Sequence, residues 1–258
     1  MNRNLKILFG FLAKTKTTIV LLSVVFFFVS SAATVTLAQR KFSRTYPASK
    51  NVRLQLTNRM GMVTVEGWDR PEISISADME TPAANIEPQS LSGLIVINLV
   101  KDNQGRNEVG SVNFVIRVPF SSSVDIETRM GNLNVSNVRG TLVRAHISTE
   151  GDITLTNINS NMVSAENVRG DIFFDGNLQP DGIYRFTSTR SNINLRIPFN
   201  SSFRLVATAP SSRNITLGAF SSGSMNFGDG RRVIGKMGDG SATLTVTSQR
   251  GSIAFIRR

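Results

Sequence analysis

The chain has 258 residues, with 29 Lys and Arg against 18 Asp and Glu, a net charge of +11, one His and no Cys. Without Cys there is no disulfide framework, thiolate nucleophile, iron–sulfur cluster or Cys-ligated zinc, and the single His146 leaves no His-rich metal site and little room for a Ser-His-Asp enzyme. The length suits one large domain or two small ones, and the basic balance points to an anionic partner or surface while saying nothing of fold.

Residues 1–38 carry Arg3, Lys6, Lys14 and Lys16 and no acid, and nothing between 17 and 39 is charged. A positive stretch followed by an apolar run is an export signal. Thr36-Leu37-Ala38 ahead of Gln39 offers small residues at the −3 and −1 positions of a cleavage site. The 22 residues from 17 to 38 are also long enough for a helix to span a bilayer. The sequence thus predicts an N-terminal hydrophobic helix over 1–38, serving either as a cleaved signal peptide or as an uncleaved membrane anchor. Its positive side stays in the cytoplasm, which puts residues 40–258 in the periplasm, the cell envelope or at the surface. Without this segment the balance is 25 basic against 18 acidic residues.

Residues 39–50 are a basic tether (Arg40, Lys41, Arg44, Lys50), part of which can serve as a capping strand. Residues 51–258 are organised by a repeat. A polar pair, Gly, a polar residue and an alternating apolar strand occur together at 59–65 (Arg-Met-Gly-Met-Val-Thr-Val). The phrase returns at 129–135, 149–155 and 168–174, at 189–195 with Ser191 in place of Gly, loosely at 212–217, and at 249–255. Gly131, Gly151, Gly170 and Ser191 are spaced by 20, 19 and 21 residues. A second alternating strand lies between phrases, as at 142–147, 184–187 and 203–207. Period-two alternation sends Val, Ile, Leu and Phe inward and Asn, Thr, Arg and Ser outward.

A β-sandwich also has closely spaced strands, but it would not keep one Gly phrase in phase. The pattern therefore predicts an all-β fold, a single-stranded parallel β-solenoid with coils of about 20 residues. About nine coils at the ordinary strand spacing would make a rod of about 40 Å. The likeness of 117–124 to 196–203, each with a Pro that marks a strand end, supports the same period. Residues 80–90 and 101–110 read as loops, and the Gly-rich stretch 218–240 as a loop or irregular hairpin. Almost no helix is expected beyond the export segment.

The stretch Asn58-Arg59-Met60-Gly61-Met62-Val63-Thr64-Val65-Glu66-Gly67-Trp68-Asp69-Arg70-Pro71-Glu72-Ile73 resembles the first repeat of the bacterial family known as putative adhesins, exported domains of unknown function built of β-strand repeats. The Gly-Asp-Ile-Thr-Leu phrase at 151–155 and the closing Arg250-Gly251-Ser252-Ile253 are similar to it as well, and the resemblance covers about residues 50–258. It implies a bacterial envelope protein with no established catalytic residues; "adhesin" is the family's label rather than a demonstrated activity.

Candidate chemistry is sparse. His146 alternates with inward apolar residues, so it should face solvent, and the sequence names no orienting partner for it. Gly-Asp pairs at 151–152, 170–171, 228–230 and 238–240 fit turns better than a calcium site, which needs six to eight clustered oxygens. Asp125, Glu127, Glu150 and Glu166 show no repeated pairing of the kind a carbohydrate-active enzyme needs. The residue before Gly or its substitute is Met60, Met130, Glu150, Arg169, Arg190, Arg213 and Arg250 in successive phrases. If the phrases stack in register, Arg169, Arg190 and Arg213 lie on adjacent coils and, with Arg250, make a basic ridge for an anionic envelope polymer or glycan. Nucleic acid is a poor partner, because Tyr46, Trp68 and Tyr184 form no stacking platform. No enzyme activity, cofactor or metal is expected. The function expected is adhesive or structural. A membrane-tethered regulatory accessory is the alternative, and a carbohydrate-active enzyme a distant one.

Overall fold

The computed structural model describes residues 40–49, 51–222 and 224–258. The expected export helix over 1–38 lies outside the described residues. Among the described residues, no helix is long and apolar enough to cross a membrane.

The chain runs through β1 (Arg40–Pro47), β2 (Arg53–Met60), β3 (Val63–Trp68), β4 (Glu72–Met79), β5 (Gln89–Leu91), β6 (Leu94–Asn98) and a one-turn helix α1 (Leu99–Asp102). It continues through β7 (Val112–Pro119), β8 (Ser123–Met130), β9 (Leu133–Ser136), β10 (Leu142–Glu150), β11 (Ile153–Ile158), β12 (Met162–Arg169), β13 (Ile172–Gly176), β14 (Ile183–Ser188) and β15 (Ile193–Ile197). β16 (Phe203–Thr208) and β17 (Ile215–Thr216) precede a 3-10 turn at Gly218–Ser222, and β18 (Ser224–Asn226), β19 (Arg232–Met237), β20 (Ala242–Ser248) and β21 (Ile253–Arg257) close the chain.

Two sheets share one core. Sheet A is ordered β1-β4-β7-β3-β9-β11-β13-β15-β21-β17, and sheet B β18-β19-β16-β20-β14-β12-β10-β8-β2-β6-β5. A strand of B followed by a strand of A makes one coil, and coils stack in parallel register, Ile153 between Leu133 and Ile172 for example. Alternation does what the sequence requires: in β3 the burial runs buried, half-buried, buried along Val63–Trp68. Aromatic rings fill the later coils, where Phe174 lies 5.0 Å from Phe186 and 6.2 Å from Tyr184 between ring centroids. The Tyr184 hydroxyl donates to the Ser160 carbonyl at 2.8 Å, and burial pushes its pKa up.

The chain is all-β with mixed sheets, and its middle follows the expected parallel coil sequence. Its ends do not. The pair β6/β7 lies outside β2/β3, so the second coil in sequence is the first in space. At the other end β20/β21 is inserted between β14/β15 and β16/β17. Eight such pairs stack rather than the nine expected. Period alone does not encode spatial order: a connection long enough to reach past a neighbour leaves the repeat phase intact.

Antiparallel strands finish both ends. β1 and β4 extend sheet A beyond β7, and β19 and β18 extend sheet B beyond β16. Residues 40–47, within the expected basic tether, are therefore an edge strand. The Gly-rich stretch is partly the β18–β19 hairpin and partly a plug. Phe220 on the 3-10 turn is fully buried, 5.9 Å from Phe203 and 6.1 Å from Phe255. Such caps cover apolar surface that an end coil would otherwise expose.

Candidate functional site

The corner between each sheet B strand and its sheet A strand carries the repeated phrase. Gly61 donates its N–H to the Met130 carbonyl (3.1 Å), Gly131 to Glu150 (2.9 Å) and Gly151 to Arg169 (2.8 Å). The backbones approach so closely that a Cβ at Gly131 would lie 2.2 Å from the Gly61 carbonyl oxygen, and φ there is +115°. Glycine is thus demanded by both space and conformation. Ser191 takes the next level, its Oγ accepting from the Gly170 N–H at 2.8 Å, and Gly251 stacks on Ser191.

The residue after Gly forms a second column. Asn132 Oδ1 accepts from the Asp152 N–H (3.0 Å), Asp152 from Asp171 (2.8 Å), Asp171 from Asn192 (3.0 Å) and Asn192 from Ser252 (3.0 Å). The Gly-Asp pairs at 151–152 and 170–171 are rungs of this ladder, which satisfies backbone donors the sheets leave free. Beneath the corner, buried polar side chains three residues before the Gly position bind its backbone: Asn167 reaches Gly170 and Gly151, Ser188 accepts from Ser191 (3.2 Å), and Ser248 accepts from Gly251 (2.9 Å). The Asn/Thr/Ser-x-x-Gly/Ser spacing at 58, 128, 167, 188 and 248 is the sequence signal for these residues, and reading the phrase from the pair before Gly passes over it.

The residue before Gly forms the candidate ridge. Met60 pairs in register with Met130, Met130 with Glu150, and Glu150 with Arg169. Met60, Met62 and Met130 are 41%, 44% and 37% exposed, so the column before Gly is apolar at these two levels, beside Arg59 and Arg129. Arg169 Nη1 lies 3.6 Å from Glu150 Oε2 in an exposed pair. Next come Arg190 and then Arg250, because β20/β21 lies between β14/β15 and β16/β17. Arg213 is therefore not adjacent to Arg190 as the sequence order suggested. It also sits one step out of column. Ile215 pairs with Ile253, which sets Arg213 level with Gly251 rather than with Arg250. It holds the left-handed φ of +54° at a corner where other coils use Gly. Arg190, Arg250 and Arg213 are exposed and make no ion pair among the described residues.

Other arginines are neutralised. Asp125, 8% exposed, lies between Arg53 (2.7 Å) and Arg144 (3.4 Å). Asp175, 3% exposed, lies between Arg196 (2.6 Å) and Arg258 (3.5 Å). The Asp175 carboxylate in turn raises the pKa of Arg196.

His146 faces outward as expected, but it has partners. Glu127 and Glu166 flank it in register on the two adjacent strands, and its Nδ1 lies 3.6 Å from Glu166 Oε2. The spacings of 19 and 20 residues equal the coil period, which is the signal that could have joined them. Among the described residues, no group of three or more His, Asp and Glu side chains is arranged to hold a metal ion.

The Toastrack DUF4097 family matches residues 34–255. The chain belongs to that family. This Toastrack chain is also similar to a solved structure from Clostridium sporogenes described as a "putative cell adhesion protein", at 11% identity and a TM-score of 0.49, over 85% of this chain and 100% of that one. A "putative adhesin" from Bacteroides fragilis is similar at 9% identity and a TM-score of 0.37, over 85% and 99% of the two chains. No curated protein matches the Toastrack chain.

Proposed function

We propose that this chain is a non-enzymatic, exported cell-envelope protein, a β-solenoid with exchanged end coils, whose Arg190–Arg250 corner binds anionic polymers or glycans in an adhesive or structural role. The observation that carries this reading is the stacking of Arg190 and Arg250 on adjacent coils with no ion pair to either among the described residues. Like charges placed side by side oppose folding unless screened or bridged. The corner accepts Met, Glu or Arg before Gly, so the backbone does not require them there. A polyanion spanning both coils supplies the missing counter-charge. Arg213, one step away, extends the same surface. Export rests on the positive start and uncharged run of residues 1–38.

The test is binding of the full chain to dextran sulfate and to uncharged dextran over a range of salt. The sulfated polymer should bind and weaken steeply as salt rises, and the neutral one should not bind. Equal binding to both would defeat the proposal.

A second reading, a regulatory accessory tethered at the inner membrane, is favoured by the 22 uncharged residues at 17–38. N-terminal sequencing of membrane and soluble fractions separates the two. An intact N-terminus in the membrane supports the tether, and a start at Gln39 supports release.

A further inference from the structure

The exchange of the last coils leaves a cavity at the opposite corner, where each sheet A strand passes back to sheet B. A regular connection there advances one strand spacing, as β13 to β14 does. The connection at 198–202 advances two, because it leaves β15 at the level of β14, passes the start of β20 and enters β16. It therefore spans about 10 Å instead of about 5 Å. The loops at 177–180, 198–202 and 239–241, which feed three neighbouring strands of sheet B, line a cavity of about 540 Å³.

The open lining is mostly polar. Asn177, Ser201 and Ser241 are half-buried, and Asn200 and Asp239 are exposed. Leu178 and Pro198, half-buried, and Pro180, exposed, add a small apolar face that is not sealed in the core. Asp239 is the one charged lining residue and makes no ion pair among the described residues. Its carboxylate accepts from the Ser202 hydroxyl and from the Ser241 N–H (2.9 Å), bonds that hold its pKa below the usual carboxylate range. The Asn200 side chain makes no hydrogen bond among the described residues, and Asn177 uses only its Oδ1, which accepts from Arg258 Nη1 at 3.3 Å. The loops hold this arrangement without a ligand. The Gly182 N–H donates to the Gln179 carbonyl (3.0 Å), the Ser201 N–H to the Pro198 carbonyl (3.0 Å) and the Gly240 N–H to the Ser202 hydroxyl (3.1 Å). Little ordering entropy then opposes binding.

We infer that this cavity binds a neutral acetamido sugar, its amide and hydroxyls paired with Asp239, Asn200 and Asn177 and its methyl and ring face against Leu178, Pro180 and Pro198. An anion would meet the Asp239 carboxylate, and a hydrocarbon chain would leave the polar lining without partners. A metal ion would find a single carboxylate that already accepts two hydrogen bonds, far short of the six to eight oxygens calcium takes. An acetamido group brings a donor for the carboxylate, an acceptor for the Asn amide N–H groups and a methyl for the apolar face. A plain hexose brings neither the amide nor the methyl. The volume lies within the range of small-ligand pockets. This site is separate from the arginine corner and does not depend on it.

The test is saturation-transfer NMR of the full chain, held in lipid nanodiscs, with N,N′-diacetylchitobiose as the probe. Transfer should be strongest at the acetyl methyl groups. Cellobiose, which has hydroxyls where the probe has acetamido groups, should bind about tenfold more weakly, and uncharged dextran should not compete. Asn200→Ala removes an exposed side chain with no hydrogen bond of its own, so it should weaken binding about fivefold with the melting temperature and dextran sulfate binding unchanged. Asp239→Asn should weaken probe binding at least as much. No transfer to the probe, equal binding of cellobiose, equal competition by an N-acetyl dipeptide amide, loss of binding on addition of EDTA, or full binding by either variant would overturn the inference.

Discussion

From Gly61 to Gly170 the corner is closed by glycine at each level, and the residue before it is Met, Met, Glu or a Glu-paired Arg. From Ser191 to Arg213 it is closed by Ser, Gly and Arg, and the outward residues are unpaired arginines. Both halves carry the same Asn/Asp/Ser ladder and the same stacked coils. The backbone therefore fixes the corner's shape while leaving its charge free, and the arginines of the second half answer to something other than folding. The clamps make the same point from the other side. Arg53, Arg144, Arg196 and Arg258 each reach a buried aspartate, so their role is structural; Arg190 and Arg250 form no ion pair among the described residues.

The largest expected effect lies in the glycine half. Gly131→Ala brings a Cβ to 2.2 Å from a carbonyl oxygen at φ +115° and should destabilise by about 3 kcal/mol or more in chemical denaturation. Ser191→Ala, at the equivalent level of the other half, removes only the acceptor for the Gly170 N–H and should cost about 1 kcal/mol. Equal losses would show that the two halves are not built differently. Next in size is Asp175→Asn, which leaves Arg196 and Arg258 without their carboxylate. Both arginines are about 40% exposed, at 43% and 39%, so water offsets part of the loss, and about 1–3 kcal/mol is expected. Glu150→Gln should change stability by less than about 1 kcal/mol, because its pair with Arg169 is exposed. It releases a third arginine to the ridge, so dextran sulfate binding should tighten a few-fold. Unchanged binding would separate Arg169 from the ridge.

Much of this was legible in the sequence, because the crowded corner favours glycine and so returns it at most coils, at Gly61, Gly131, Gly151, Gly170 and Gly251. The alternation that places Val63, Leu133 and Ile153 in the core was legible for a similar reason: one face of each strand is buried. Coil order at the ends was not, since the stretch between β17 and β20, with its β18–β19 hairpin and the Phe220 plug, carries no periodic mark. Arg213 was assigned to the wrong column because its coil lacks Gly, leaving nothing to fix the register until Ile215 pairs with Ile253. The link from His146 to Glu127 and Glu166 was present as spacing but hidden, because contact across coils joins residues about 20 apart rather than neighbours.

The comparison between the halves comes down to one measurement: dextran sulfate affinity and its salt dependence for two double variants of the full chain. Arg190→Gln/Arg250→Gln removes two charges of the column before Gly, and Arg59→Gln/Arg129→Gln removes two charges one residue further back in the first half, on strands paired through Asn58–Thr128 and Met60–Met130, where the arginines likewise form no ion pair among the described residues. The account expects the former to lose tenfold or more in affinity and to flatten the salt dependence, with stability unchanged or slightly raised, and the latter to lose less than threefold. Equal losses from the two variants, or none from Arg190→Gln/Arg250→Gln, would contradict it.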